Sequence, residues 1–454
     1  MKNENEKTMT FAATAAVLAL LATWLGQGQS TPDIFFDIGE PFFPEFTDPS
    51  VATALEIVEF DEDTAAAIPF KVSNQDGLWT IPSHHNYPAD GESQLAETAA
   101  SVIDIVKNDF RSDNVADHET LGVVDPLDET VSTLKGRGRR VTVKGEGESV
   151  LADFIIGNEV DNRAGVRFIR VPGQSRVYAV NMEIDISTKF EDWIEKDLLQ
   201  VSRGDIDQLI LNDYSINERT LTMTQRGSLF LEHEEDHWVA RGMSLSEEID
   251  TSKIGVLLGA VDELSIVGVR PKPAGVSEDL TESSQETITR SDLMSLQSKG
   301  YYLTRDGRLF SNEGELIVHT TQGVVYTLRF GEIVYGRGDT VTAGDESNEY
   351  EESGPGENRY LFITVAFDES SLKEPLEPQN TDFENKEASE WTDDDRRNDE
   401  LKRKYKEWET QVALARESVS NLSARFGKWY YVIPASSFEK VRMQRSDLVR
   451  QRTS

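Results

Sequence analysis

The chain has 454 residues, of which 82 are acidic and 46 are basic, so its formal net charge at pH 7 is −36. This charge would repel a nucleic-acid backbone, whose recognition requires clustered lysine and arginine, and we expect no nucleic-acid partner. Because it has no cysteine, the chain can form no disulfide, no thiolate nucleophile and no cysteine-ligated metal centre. Its length suits about two to four domains.

The first predicted element in chain order is an uncharged segment rich in alanine and leucine, Met9 to Leu25. Lys2 and Lys7 precede it, and no further lysine or arginine occurs before Lys71. By the positive-inside rule, this asymmetry keeps the N-terminus in the cytoplasm and places the rest of the chain outside it. At about 1.5 Å per residue, a helix of this length reaches roughly 25 Å, which is within the range for a spanning helix.

Two other interpretations of this segment remain open. A cleaved signal peptide needs small residues one and three positions before the cut, and only Gly26-Gln27-Gly28 offers that spacing. A buried helix of a soluble protein would leave the flanking lysines unexplained. We predict a single-pass signal anchor over residues 1–28 in the cytoplasmic membrane, a linker over 29–50, and a body in the periplasm or cell envelope.

The body contains an internal repeat. Residues 70–106 align without a gap on residues 229–265, and paired positions differ by 159, as Trp79 and Trp238 do. Strand-like stretches also match on either side: LEIVEFD (55–61) with LILNDYS (209–215), SVLADFIIG (149–157) with GVVYTLRFG (323–331), and SRVYAV (175–180) with NRYLFI (358–363). We therefore predict two related α+β domains, over residues 51–186 and 209–368.

Each predicted domain contains one helix among several strands. Long apolar stretches predict helices over 95–106 and 254–267, with Ser93 and Asp250 among the candidate N-caps. Runs of β-branched and aromatic residues broken by turn residues predict the strands. Together these patterns predict an α+β fold class.

The segment STKFEDWIEKDLLQ (187–200) predicts a connecting helix within residues 187–208. Thr188 and Glu191 have the spacing of a capping box. Four apolar residues form a stripe along one face of such a helix: Phe190, Trp193, Ile194 and Leu198. We expect this helix to dock on a domain, and we interpret Trp193 as a core residue.

The C-terminal part begins with acidic segments that predict loops, 338–357 and an acidic linker over 369–395. Within residues 396–454, apolar residues then recur at alternating spacings of four and three: Leu401, Tyr405, Trp408, Val412, Ala415, Val419 and Leu422. This heptad seam predicts a helix that either dimerises or packs back on its own domain. A buried strand (426–434) and a short basic helix (437–451) are predicted to follow.

The sharpest motif is His233-Glu234-Glu235-Asp236-His237, which fits the H-E-x-x-H pattern of zinc hydrolases. That chemistry requires a helix, because only there do residues four apart share a face. The repeat places these residues over 74–78, a predicted hairpin turn, and the flanking residues resemble strands. We therefore predict a hairpin, and we predict no catalytic residue, no metal ligand and no cofactor.

Two weaker candidates lead to the same conclusion. His84-His85 follows Pro82 in a polar loop, where we expect exposure to solvent. The basic segment LKGRGRR (134–140) precedes a strand and lacks the strand–loop–helix context of a phosphate site; it could equally be an ordinary turn.

Several phrases together resemble the bacterial domain-of-unknown-function family numbered 4340: GLWTIPSHHNYPAD (77–90), GQSRVYAV (173–180), STKFEDWIEKDLL (187–199), IDTSKIGVLLGAVDEL (249–264) and RFGKWYYVI (425–433). The resemblance spans roughly residues 50–435. Members of that family are often associated with ABC-type transporter components of the gliding-motility kind. The resemblance therefore implies an accessory role beside a membrane transporter, and it supplies no catalytic residues.

The expected function is that of a membrane-anchored, extracytoplasmic accessory or scaffold protein that binds envelope or membrane proteins, and we expect no enzyme activity. Two alternatives from other classes are a zinc-dependent hydrolase that uses His233, Glu234 and His237, and an envelope protein that captures a solute or cation. The oligomeric state cannot be predicted from these patterns.

Overall fold

The computed structural model describes residues 37–182, 186–217, 219–276, 288–304, 306–335, 339–343 and 357–452, together with Met9, Thr14 and Ala15. Apart from those three residues, the predicted anchor lies outside the described part of the chain. Among the described residues, no helix is long and apolar enough to cross a membrane.

The chain divides into two compact units, one made of residues 1–74 and 92–187, the other of residues 75–91 and 188–454. Both units combine helices with antiparallel sheets, and the predicted α+β fold class is confirmed. Elements are numbered below in chain order over both units.

The sheet of the first unit consists of β1 (Ala54–Asp61), β2 (Ala66–Gln75), β5 (Asp109–Ser112), β6 (Arg139–Lys144), β7 (Val150–Glu159), β8 (Val166–Arg170) and β9 (Val177–Asn181). Its antiparallel order is β2-β1-β6-β7-β8-β9-β5. Alternate side chains of a strand point to one face, so β1 buries Leu55 and Ile57 while β6 buries Val141 and Val143, all at 0% exposure.

From residue 37 onward, the described residues of the first unit form the helix α1 (Gly91–Ile103) and the single turn α2 (His118–Leu121). Helix α1 buries Leu95, Ala99 and Val102, whose spacings of four and three place them on one face. The prediction of a helix here is confirmed, but α1 begins before Ser93, which is therefore not its N-cap.

The second unit contains the strands β3 (Leu78–Ile81), β4 (Tyr87–Pro88), β10 (Ile206–Asn217), β11 (Thr222–Glu234), β12 (His237–Ala240), β13 (Glu247–Ile249), β14 (Gly268–Pro271), β15 (Tyr301–Leu303), β16 (Leu309–Ser311), β17 (Glu315–Thr320), β18 (Val324–Val334), β19 (Asn358–Phe367), β20 (Trp429–Ile433) and β21 (Val449–Gln451). Eight of them form an antiparallel sheet in the order β12-β11-β10-β17-β18-β19-β20-β14. Strands β3 and β4 pair with each other, as do β13 with β21 and β15 with β16. The predicted buried strand near the C-terminus is confirmed as β20, in which all five residues are buried.

The helices of the second unit are α3 (Thr251–Asp262), α4 (Arg290–Gln297), α5 (Asp339–Thr342), α6 (Asp393–Gly427), α7 (Ala435–Val441) and α8 (Arg445–Leu448). The predicted N-cap of α3 is confirmed, since the Asp250 carboxylate accepts hydrogen bonds from the backbone N–H groups of Ser252 and Lys253. The predicted basic helix over 437–451 is wrong in detail, because two short helices and β21 occupy that stretch.

Helix α6 begins at a capping box, in which the Thr392 hydroxyl accepts from the Asp395 N–H and the Asp395 carboxylate accepts from the Thr392 N–H. Its predicted heptad seam faces the protein: Ala415 and Leu422 are buried, and the other seam residues are half-buried. The helix packs against β19. Of the two predicted outcomes, this arrangement corresponds to packing back on the helix's own unit.

The predicted connecting helix over 187–200 is wrong. Only Phe190–Asp192 form a single 3-10 turn, Thr188 is not its N-cap, and Gln200 has a left-handed backbone with φ of 54°. The segment instead buries neighbouring residues, Trp193 with Ile194 and Leu198 with Leu199, at 6% exposure or less. Leu199 and Val201 lie outside the predicted stripe and are also buried, at 0% and 4% exposure, so this stretch buries side chains in more directions than one helix face provides.

Seven described strands of the first unit occur in the order β2-β1-β6-β7-β8-β9-β5, and seven of the second occur in the order β11-β10-β17-β18-β19-β20-β14. The two orders have the same connectivity. One predicted sequence match disagrees with this shared strand order. Residues 175–180 overlap β9, which lies next to the edge strand β5. Residues 358–363 lie in β19, which is separated by one strand from the corresponding edge strand β14. The strand at the place of β9 is β20.

Candidate functional site

A groove of about 770 Å³ lies in the second unit and is the candidate site. One wall comes from the β3–β4 segment (Leu78 and His85–Asp90), and the other comes from the end of β14 and the junction of α6 with β20. Its volume is within the range of about 300–1,000 Å³ typical of ligand sites. We call it the basic groove, for the charged residues described below.

The β3–β4 wall is shaped by a tight reversal of the chain. Pro82 begins a 3-10 turn that ends at His84, and its missing N–H and fixed φ suit that first position. His85 and Asn86 follow with φ of 59° and 58°, in the left-handed region that asparagine and histidine adopt more readily than most residues. This reversal pairs Ile81 with Tyr87 and presents Tyr87 to the groove.

An aromatic layer supports that wall. The ring of Tyr87 packs edge-on against Trp429, with centroids 5.0 Å apart, and against Phe190 at 5.6 Å. The imidazole of His84 stacks on the ring of Phe190, with centroids 4.6 Å apart and 8° between the ring planes. Such pairs add to the stability that burial itself provides. Tyr87 is 6% exposed, and burial raises the pKa of its hydroxyl.

The opposite wall carries the cations of the groove. Strand β14 pairs Pro271 with Trp429 of β20, and the N–H of Lys272 donates to the carbonyl of Lys428 at 2.8 Å. The Lys272 ammonium is held in the protein, donating to the Phe426 carbonyl at 3.1 Å. It also lies 3.6 Å from the centroid of the Phe362 ring.

Arg425 and Lys428 are the more accessible cations. Arg425 is half-buried and donates from Nη2 to the carbonyl oxygen of Asp197 at 3.0 Å, while Lys428 is exposed at the C-terminal end of α6. Neither forms an ion pair with a carboxylate of the described residues, although Asp90 and Glu195 also line the groove. The groove is therefore lined by three cationic side chains and two carboxylates, whereas in the whole chain acids outnumber bases by 82 to 46.

The groove therefore combines positive charge with apolar surface from Leu78, Pro88, Pro271 and Ala274, all of them exposed. This combination suits binding of an anion with an apolar body. The described part of the chain holds no cluster of three or more histidine, aspartate or glutamate side chains arranged for a metal ion.

The HEEDH segment forms the predicted hairpin, which is thereby confirmed. Glu234 ends β11, Glu235 turns with φ of 54°, and His237 begins β12 opposite Glu234. His233 is instead paired with Trp238, whose ring centroid is 5.3 Å away. Successive residues of a strand point to opposite faces, so His233 lies on one face of the hairpin and His237 on the other. The pair therefore lacks the shared face on which zinc binding by this motif depends.

The expectation that His84-His85 would be exposed is wrong for His84, which is 3% exposed. Burial, followed by the charges of His85 and Arg270, lowers the pKa of His84 to about 4. His85 is exposed, and its Nε2 lies 2.7 Å from the carbonyl oxygen of Ala343. The position of a histidine after proline in a polar stretch did not indicate the aromatic partner that buries it.

The basic segment 134–140 is a turn leading into β6, and its arginines are occupied within the first unit. Arg137 donates to four carbonyl groups, including that of Val131 at 2.8 Å. Arg140 binds Asp153 through two hydrogen bonds of 2.9 and 2.7 Å. Gly136 has φ of 69°, and a Cβ atom there would lie 2.1 Å from the Glu119 carbonyl oxygen, so glycine is required by the turn.

A second cavity of the second unit has a volume of about 590 Å³, and half of its lining residues are acids: Glu191, Asp192, Glu195, Asp197, Asp262 and Glu263. Arg203 forms ion pairs with Asp262 and Glu263 at its edge. We assign no ligand to this cavity.

Sequence reasoning missed Tyr87, Arg425, Lys428 and Trp429 as residues of one groove. A signal was nevertheless present, because all four lie in the phrases 77–90 and 425–433 that carry the family resemblance. Those phrases are more than 300 residues apart in sequence, and only the pairing of β14 with β20 places the second beside Lys272.

In a comparison with known families, residues 79–283 match the family described as "Domain of unknown function (DUF4340)". The match confirms the inferred resemblance over these residues. The chain matches no curated protein and no solved structure.

Proposed function

We propose, starting from the match of residues 79–283 to the DUF4340 family, that the chain is a single-pass, membrane-anchored, extracytoplasmic accessory or scaffold protein that acts beside an ABC-type transporter. The observation that carries the proposal is the charge asymmetry around Met9–Leu25, with two lysines before this segment and no lysine or arginine after it until Lys71. Charge asymmetry of this kind orients signal anchors. The basic groove supports a binding role for the body.

We further propose that the body arose by duplication of one α+β domain. The shared strand order supports this proposal, as does the offset of 159 between the aligned segments. When 159 is added to the residue numbers of β3 and β5, the results are the residue numbers of β12 and β14. A duplicated body offers two similar frameworks whose loops can bind different parts of a partner.

The orientation is tested by adding protease to spheroplasts. We expect the body to be digested, and we expect alkaline carbonate to leave the intact chain in the membrane fraction. A body that is protected in sealed cells but cut after lysis would contradict the orientation. A released form that begins near Gln29 would contradict only the anchor.

The accessory role is tested by purifying the full chain gently from membranes and identifying the proteins that co-purify. We expect transporter subunits among them. The control is the same chain with residues 2–28 replaced by a cleavable export signal, which should lose partners that require the membrane. Recovery of the wild-type chain without a transporter subunit would contradict the proposal.

A further inference from the structure

We infer that the basic groove binds an extended peptide that presents a carboxylate next to apolar side chains. This inference deepens the proposed function, on which it rests for the choice of a protein partner. The carboxylate can come from the C-terminus of the partner chain or from an aspartate or glutamate side chain, since both present the same two oxygens.

The charges of the groove are the first observation that supports this inference. Lys428 is exposed, lines the groove and forms no ion pair with a carboxylate of the described residues. Carboxylates are abundant on a chain with a net charge of −36, yet none of the described ones pairs with Lys428. Arg425 lines the same wall and is oriented by its hydrogen bond to the Asp197 carbonyl, which leaves other N–H groups of its guanidinium for a ligand. Charge-assisted hydrogen bonds from such groups favour a carboxylate.

The apolar surface and the volume of the groove are the second observation. Its apolar lining residues Leu78, Pro88, Pro271 and Ala274 are exposed, and the packed rings of Tyr87 and Trp429 line the same groove. Apolar side chains of a peptide would be removed from water on this surface while its carboxylate lies at the cations. The volume of about 770 Å³ accommodates a few residues of an extended chain.

The experiment uses the full chain in detergent and three immobilised libraries of random decapeptides. The first library has free C-terminal carboxylates and no aspartate or glutamate, the second has amide-capped ends and contains both acids, and the third has amide-capped ends and neither acid. We expect retention on the first or the second library to exceed that on the third at least tenfold. The library that retains more protein identifies the source of the carboxylate.

The matched variants are Lys428→Glu and Lys406→Glu. Lys406 is exposed on α6, 22 residues before Lys428 and therefore roughly 33 Å away along the helix. We expect Lys428→Glu to reduce retention at least tenfold and Lys406→Glu to change it less than twofold. Lys428→Gln removes the charge without placing an acid at a helix C-terminus, and it should give an intermediate loss.

Three outcomes would overturn the inference: equal retention on all three libraries, retention of Lys428→Glu at the wild-type level, or equal losses for Lys428→Glu and Lys406→Glu. Because peptide binding is measured on the purified chain, such a result overturns the assignment of the groove alone. The proposed function fails separately, if the wild-type chain comes from membranes without a transporter subunit.

Discussion

The imidazole of His84 stacks on the ring of Phe190 at 4.6 Å with 8° between the planes, and this contact makes His84 a buried base within the second unit. Its Nδ1 lies 3.0 Å from the Ser83 hydroxyl. Burial disfavours the charged form, so the pKa of His84 falls from 6.5 to about 4.

This depressed pKa predicts a loss of stability in acid. Between pH 6.5 and about 4 the unfolded chain binds a proton at His84 and the folded chain does not. The contribution is therefore fully present above pH 6.5 and declines as the pH falls, by up to about 3 kcal/mol. We expect His84→Phe, which keeps an aromatic ring without a titrating group, to lose less of its unfolding free energy between pH 7.5 and 4.5 than the wild type.

Urea unfolding of the full chain at both pH values measures this difference. The control is His237→Gln, which changes an exposed histidine of the second unit that does not contribute to the pKa shift of His84, and it should retain the wild-type pH dependence. If His84→Phe and the wild type show the same pH dependence, the buried base does not contribute.

Trp193 should contribute far more to the free energy of unfolding than Trp238, although both tryptophans lie in the second unit. Trp193 is 0% exposed within the irregular segment after Phe190, whereas Trp238 is half-buried on the β11–β12 hairpin. We expect Trp193→Ala to cost about 3–5 kcal/mol of unfolding free energy, because it leaves a large cavity. We expect Trp238→Ala to cost about 1 kcal/mol. Chemical denaturation of both variants gives the comparison, and equal costs would contradict the burial of Trp193.

The capping box of α6 predicts a position-dependent effect of threonine replacement. Thr392→Ala removes the hydroxyl that accepts from the Asp395 N–H, and we expect a loss of about 1 kcal/mol. Thr410→Ala, at an exposed position inside the same helix, should be neutral or slightly stabilising. Thermal unfolding followed at 222 nm distinguishes the two; a larger loss for Thr410→Ala would contradict the helix start at Asp393.

The ion pair behind this cap predicts how it responds to acid. The hydrogen bond from Lys386, at 2.8 Å, and then those from Thr392 lower the pKa of Asp395 to about 2. The unfolded carboxylate titrates near 3.8, so the stabilisation is present above that pH and is lost as the pH falls towards 2. We expect Asp395→Asn to unfold at a lower temperature than the wild type at pH 6, with the difference shrinking below pH 3.

Metal analysis tests the alternative of a zinc hydrolase. Because His233 and His237 lie on opposite faces of a hairpin, we expect the purified chain to hold no stoichiometric zinc, and we expect His233→Ala to leave its metal content unchanged. Stoichiometric zinc that is lost on this replacement would contradict the hairpin geometry and restore the hydrolase hypothesis.

Local patterns predicted much of the secondary structure correctly. Asp250 is among the candidate N-caps, the HEEDH segment is predicted as a hairpin and residues 426–434 as a buried strand; the structure confirms the cap and the hairpin, and it confirms the strand over Trp429–Ile433. The cap and the hairpin depend on interactions within a few residues along the chain, and the strand was indicated by its run of aromatic and β-branched residues, which is also a local signal.

The tertiary structure decided the features that depend on distant partners. The segment 187–200 has the capping-box and stripe pattern of a helix, yet it also buries Leu199, which lies outside the stripe, and tertiary packing overrides the local preference. His84 lies in a polar stretch, yet stacking on Phe190 buries it. The basic groove joins residues near position 85 to residues near position 428, and no local pattern links them. The sequence by itself determined where chain direction and periodicity change, because those signals are local, whereas burial and the composition of the groove required the long-range packing that only the folded chain provides.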